Sequence, residues 1–144
     1  MTYLTNVATA TQIAGHLACC DTYFVPTLSG RVQIVDYAQK IASRAIRFEA
    51  WSENTLVGLV AAYSDDRQRR MAYITTVSIL PEWTRRGIAT RLVLSAVEYA
   101  RLQRLRRISL EVARDQRSAI HLYEKCGFSA DETQEPIVSM HLNL

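Results

Sequence analysis

Ile74-Thr75-Thr76-Val77-Ser78-Ile79-Leu80-Pro81-Glu82-Trp83-Thr84-Arg85-Arg86-Gly87-Ile88-Ala89-Thr90-Arg91-Leu92 reads as a strand, a break and the opening of a helix. Val77 and Ile79 alternate with Thr76, Ser78 and Leu80 in a β-branched run, and Pro81 removes a backbone donor and ends regular pairing. From Ile88 the apolar positions fall at Ile88, Leu92, Val93, Ala96, Val97 and Ala100. That is the three-and-four spacing of one helical face, and it predicts a long helix over about 86–104.

The turn between strand and helix is where chemistry can attach. A helix start carries unpaired backbone N–H groups and the positive end of the macrodipole, and small residues let a ligand approach the main chain. Gly87 and Ala89 supply that smallness, while Arg85, Arg86 and Arg91 add positive charge, so the turn suits a diphosphate. It has neither the Lys-Ser or Lys-Thr ending of a nucleoside-triphosphate loop nor the three glycines of a dinucleotide fingerprint. Taken alone, the same residues read equally as a tight strand-to-helix turn with a solvated Arg cluster.

Upstream, residues 3–8 read as a short first strand, and Thr9 or Thr11 caps a helix to about Cys20 with Ile13, Leu17 and Cys20 on one face. Residues 21–31 carry Pro26, Ser29-Gly30, Tyr23 and Phe24, the composition of an irregular loop that either lines a substrate pocket or anchors its aromatics to the core. A second helix is expected over 32–43, with Ile34, Tyr37, Ala38 and Ile41 as its stripe. Strands over 45–51 and 55–63 follow, joined by a polar hairpin turn. In the first, Ile46, Phe48 and Ala50 alternate with Arg47, Glu49 and Trp51, which predicts one buried face. Residues 64–70 read as an exposed hairpin connection into a strand over 71–80.

Downstream, residues 107–112 alternate with period two, and a right-handed crossover places that strand parallel to the one over 71–80. A polar loop at 114–117 leads to a short helix over 118–126, with Ala119, Leu122, Tyr123 and Cys126 on related turns and Gly127 ending it. A polar turn over 131–136 and a last strand over 137–142 complete a single α/β domain with a mixed sheet, spanning residues 1–144.

Of the 144 residues, 49% are hydrophobic and 22% charged, an ordinary globular balance. No apolar run reaches the roughly 20 residues of a membrane helix, and the first residues lack a signal-peptide pattern, so a cytoplasmic protein without a membrane partner is expected. Cys19, Cys20 and Cys126 suit neither a disulfide framework nor zinc-ligand spacing, so reduced thiols and no metal are expected. Fifteen of the 17 basic residues are Arg, which favours a phosphorylated ligand through forked contacts; solvated helix faces account for such clusters as well.

Two stretches resemble one family. Val77-Ser78-Ile79-Leu80-Pro81 through Arg86-Gly87-Ile88-Ala89 is similar to the cofactor motif of the GNAT superfamily of acetyl-CoA-dependent N-acetyltransferases, Gln/Arg-x-x-Gly-x-Gly/Ala after a strand ending near Pro. Ala119-Ile120-His121-Leu122-Tyr123-Glu124-Lys125-Cys126-Gly127-Phe128 resembles its C-terminal motif, Ala-Ile-x-Leu-Tyr-x-x-x-Gly-Phe. Thr84 stands where the first motif usually has Gln or Arg, and Gln116 where the second often has Asn. The resemblance covers about residues 45–130.

It implies a central mixed, mostly antiparallel sheet flanked by about four helices, with a parallel strand pair splayed at the cofactor site. It also implies acetyl-CoA as acyl donor, with no metal and no covalent intermediate. By the resemblance, the main chain at Val77, Ser78 and Ile79 pairs with the pantetheine arm. The turn at Arg85, Arg86, Gly87, Ile88, Ala89 and Thr90 takes the diphosphate, with Gln116 as a further cofactor contact. Tyr123 falls on the tyrosine that protonates the coenzyme A thiolate. Leu110-Glu111-Val112 resembles the strand of ribosomal-protein alanine acetyltransferases that carries the proposed base, which makes Glu111 the first candidate and Glu49 the reserve; His16 and His121 read as surface histidines.

The expected activity is transfer of an acetyl group to a primary amine of a small molecule or peptide, with Tyr23, Phe24 and Glu49 as candidate acceptor contacts beside Asp21 and Arg31. The alternative is a non-catalytic acyl-CoA-binding regulatory module of the same fold. A nucleic-acid binder ranks behind both, because the chain carries no recognisable nucleic-acid motif. A homodimer is an open option, since sheet edges in this family often pair.

Overall fold

The computed structural model describes residues 1–66, 68–134 and 136–144. Its strands are β1 (Thr2–Thr5), β2 (Ile46–Ser52), β3 (Thr55–Asp66), β4 (Met71–Ile79), β5 (Arg107–Ala113), β6 (Ser129–Gln134) and β7 (Ile137–Asn143). Its helices are α1 (Ala10–Cys20), α2 (Ile34–Arg44), α3 (Ile88–Leu102) and α4 (Arg117–Lys125). The strands form one sheet in the order β1-β2-β3-β4-β5-β7-β6. Every neighbouring pair is antiparallel except β4 and β5. No helix among the described residues is long and apolar enough to cross a membrane.

Two of the four α-helices begin at a local sequence signal, α1 at Thr9 and α3 at Gly87. Thr9 caps α1 through a reciprocal pair: its Oγ1 accepts from the Gln12 amide at 3.2 Å, and Gln12 Oε1 accepts from the Thr9 amide at 2.9 Å. Gly87 opens α3 at φ 79°, a left-handed conformation that glycine adopts without a Cβ clash. The stripe of α3 packs Leu92, Val93, Ala96, Val97 and Ala100 with Val57, Val60, Ile74 and Ile108 of the sheet. Helices α1 and α2 build a second cluster, where Ile13, Leu17, Ala38 and Ile41 meet Trp51, Leu56, Leu59 and Ala61. Gly58 permits the start of α3 to lie close to β3, since a Cβ there would come within 2.9 Å of Ile88 Cγ2 and 3.0 Å of Ile79 Cδ1.

Three expectations are corrected. β2 is buried on both faces rather than one, because α1 and α2 cover the side that carries Arg47, Glu49 and Trp51. β3 continues to Asp66, so the connection after it is shorter than 64–70, and Arg67 lies outside the described residues. β6 occupies most of the stretch read as a polar turn, with Glu135 outside the described residues. β6 is an edge strand, and polar residues on an edge discourage pairing with another chain. Elsewhere the observed ends differ from the expected ones by a residue or two, except at the first strand, which stops at Thr5 before Asn6 turns to φ 60°.

A bulge shapes the middle of the sheet. Ala61 pairs with Thr76 and Ala62 with Ile74, which leaves Thr75 without a counterpart on β3. Such an extra residue bends its strand and increases the local twist. Thr75 sits two residues past the last β4–β5 pair, at Tyr73, so the bend coincides with the point where those strands part. Tyr37 of α2 fixes the bulge, donating to the Thr75 carbonyl at 3.0 Å and lying 2.6 Å from its hydroxyl.

Candidate functional site

β4 and β5 are paired only from Met71↔Arg107 to Tyr73↔Ser109. Beyond that point β4 keeps β3 on one side and β5 keeps β7, so the edges that face each other hold no strand partner. A cavity of about 300 Å³ opens between them. β4 contributes Tyr73, Thr75 and Val77, β5 contributes Glu111, the α4 end contributes Gln116 and Tyr123, and the 21–31 segment contributes Phe24 and Arg31.

The register explains how Glu111 reaches this place. Paired residues share a face of the sheet, and a strand repeats its face every second residue. Glu111, two positions past Ser109, therefore shares the face of Tyr73 just where the strands separate. The Tyr73 hydroxyl donates to Glu111 Oε1 at 3.0 Å. Burial, reinforced by this bond and the negative charge of Glu111, raises the pKa of the Tyr73 phenol well above the usual tyrosine range, so it stays a donor. Tyr73 was not singled out in the sequence, because the register of a parallel pair leaves no local signal.

Tyr123 reaches the cavity from α4, with its ring tilted against Phe128 at 6.2 Å between centroids. Burial, and to a lesser degree Cys126, raises its pKa well above the usual range. It is buried beside the cavity as a protonated phenol.

A second cavity, of about 520 Å³, adjoins the diphosphate-like turn. It is lined by Ile79, Trp83, Thr84, Arg85, Gly87, Ile88, Ala89 and Thr90, with Ser118, Ala119 and Leu122 of α4 opposite them in sequence. β4 and α4 thus line both cavities, with Val77 and Tyr123 in one and Ile79 and Leu122 in the other. The first three amides of α3 have no acceptor within the helix and no side-chain cap, and a Cβ on Gly87 would meet nothing within 4 Å. The turn therefore offers uncapped donors at the positive end of a helix, with Arg85 at φ 63° beside them.

Other candidates stand elsewhere or are already engaged. Ser78 is buried, and its Oγ lies 2.9 Å from His16 Nε2. Arg86 stacks over Trp83 at 4.6 Å and donates to the Glu82 carbonyl at 3.1 Å. Tyr23 is 61% exposed and lines neither cavity. The Gln116 amide donates to the Tyr23 carbonyl at 3.2 Å, which ties the 21–31 segment to the start of α4 rather than leaving that group free for a cofactor. Glu49, expected as an acceptor contact or reserve base, lines neither cavity. Only 1% exposed, it accepts from the amides of Val7 and Ala8 and from Trp51 Nε1, beside Arg47. His16 is likewise no surface histidine: burial lowers its pKa, and Nδ1 sits 2.9 Å from the Leu56 carbonyl. A neutral ring donating from Nδ1 leaves Nε2 to accept the Ser78 proton.

Residues 11–128 match the model of the Acetyltransferase (GNAT) family. The chain belongs to that family, whose members are enzymes of the acyl-CoA N-acyltransferase type. An uncharacterized N-acetyltransferase of Methanocaldococcus jannaschii is 34% identical over 80 residues, 53% of this chain and 35% of that protein. Spermidine N(1)-acetyltransferase of Vibrio cholerae is 35% identical over 78 residues, 54% of this chain and 44% of the relative. These alignments span less than half the length of either relative. PaiA N-acetyltransferase of Thermoplasma acidophilum, in a crystal structure with coenzyme A, has the same fold at a TM-score of 0.75 over 100% of both chains, with 16% identity. The mixed, mostly antiparallel sheet with one splayed parallel pair and four helices is that of GNAT structures.

Proposed function

We propose that this chain transfers the acetyl group of acetyl-CoA to a primary amine of a small molecule or peptide. The observation that carries the reading is the parting of β4 and β5 beside two titratable groups, Glu111 and Tyr123, that line the resulting cavity. The fit to acetyl-CoA, the donor substrate, rests on two features. The β4 edge past Tyr73 offers unpaired main chain to an amide-bearing arm, and the open turn at Gly87 offers α3 amides and Arg85 to a diphosphate.

In this reading the amine attacks the thioester carbonyl, which a β4 amide between Val77 and Ile79 polarises. Glu111, directly or through water, takes the ammonium proton, and Tyr123 supplies a proton to the departing thiolate. The buried phenol stays protonated across the neutral range, and the same desolvation makes the thiolate a stronger base. A direct transfer needs no covalent intermediate on the protein.

Calorimetric titration of acetyl-CoA into the wild-type protein and the Gly87→Asp variant tests this. Saturable wild-type binding, weakened at least tenfold by a carboxylate in the turn, is expected. No saturable wild-type binding would overturn the reading. Binding without thiol release for any amine would point instead to an acyl-CoA-binding module that has kept the fold without turnover.

A further inference from the structure

The cavity between β4 and β5 brings together two ionic side chains of opposite sign, Arg31 from the 21–31 segment and Glu111 from β5. The other polar side chains on its wall, among them Tyr73, Thr75, Gln116 and Tyr123, belong to uncharged residue types. We propose that the acceptor is a small amine that also carries a carboxylate, with the charge pattern of a free amino acid. Its ammonium lies toward Glu111 and its carboxylate on Arg31. This deepens the acetyl-transfer reading and rests on it.

Arg31 has the attributes of a carboxylate clamp. Among the described residues no carboxylate pairs with it. Its guanidinium lies over the Phe24 ring, 5.8 Å from the centroid. A cation–π contact of this length restrains the head group loosely, and among the described residues no carboxylate occupies its N–H fork. The backbone around it is held as well. Asp21 Oδ1 accepts from the Ser29 amide at 2.7 Å, the Arg31 amide donates to the Leu28 carbonyl at 2.9 Å, and Gln116 holds the Tyr23 carbonyl.

Glu111 is the matching group. Tyr73 fixes one of its oxygens and leaves the other for an ammonium. Both charges act on the Tyr73 phenol, Glu111 raising its pKa and Arg31 lowering it to a lesser degree, and all three residues line the same cavity. A polyamine does not suit this arrangement, because its second ammonium would enter the field of an uncompensated guanidinium. A volume of about 300 Å³ also suits a small acceptor.

The test is thiol release at saturating acetyl-CoA with free amino acids, the same amino acids as C-terminal amides, and spermidine, for the wild type, Arg31→Gln and Arg31→Glu. Acetyl-CoA titrations run in parallel. At least one free amino acid is expected to exceed its amide tenfold or more in kcat/KM and to exceed spermidine. In Arg31→Gln that ratio should fall to about one, chiefly through KM, and in Arg31→Glu the order should invert toward the amide or spermidine. Equal use of acid and amide by the wild type, or an unchanged ratio in Arg31→Gln, would overturn the proposal while leaving acetyl transfer intact. Turnover of no amino acid by a wild type that binds acetyl-CoA would overturn it too. Absence of acetyl-CoA binding would bring down both readings.

Discussion

Replacing Glu49 by Gln keeps the size of the side chain and removes its charge, and the structure sets how much that should cost. The carboxylate is 1% exposed and faces four donors: the Val7 and Ala8 amides at 3.0–3.2 Å, Trp51 Nε1 at 3.0 Å and Arg47 Nε at 3.5 Å. A glutamine carbonyl can accept from two of these, while its amide group turns N–H toward the others and leaves Arg47 without its anion. Breaking a buried ion pair from one side costs about 3–5 kcal/mol. Arg47 keeps two carbonyl partners, Ala42 at 2.9 Å and Ala8 at 3.0 Å, which favours the lower end, about 3 kcal/mol. With a urea slope of about 1–3 kcal/mol/M, the unfolding midpoint should fall by about 1–3 M. Turnover per folded molecule should hold, because the carboxylate lines neither site cavity. An unchanged midpoint together with collapsed turnover would refute this reasoning and return Glu49 to the chemistry.

Two further outcomes follow from the buried titratable groups. Tyr123→Phe should lower kcat by about 10²–10⁴ while leaving the calorimetric Kd for acetyl-CoA within about twofold, the pattern of a lost general acid; because burial raises this phenol's pKa, an alkaline limb of kcat at or below pH 10 would assign the acid to another group. His16 has its pKa lowered from 6.5, so the unfolded chain takes up a proton that the folded one resists; its contribution is complete above pH 6.5 and is lost as pH falls, and melting curves should show Tm dropping less steeply below pH 6.5 in His16→Gln than in the wild type.

How far the sequence could be read depended on the range of the interaction concerned. The Pro81 stop, the Gly87 turn and the α3 stripe are local, set by backbone dihedrals and a 3.6-residue period, and they stand as expected. The polarity of β6 and the two buried faces of β2 were not legible. Whether a charged alternating residue meets water or a helix depends on what packs above it, and Glu49 owes its burial to donors 41 and 42 residues away.

The same distinction governs the candidate site. Glu111 and Tyr123 stand out because motifs surround them, whereas Tyr73 and the role of Arg31 depend on register and on loop placement. Two β4 features act together at that point: the bulge at Thr75 bends the strand, and Tyr37 holds the bulged residue from α2. The helix pair that carries the 21–31 segment, and with it Arg31, is therefore bonded to the residue that opens the cavity. A change in α2 that frees Thr75, such as Tyr37→Phe, should alter the cleft and the placement of Arg31 together.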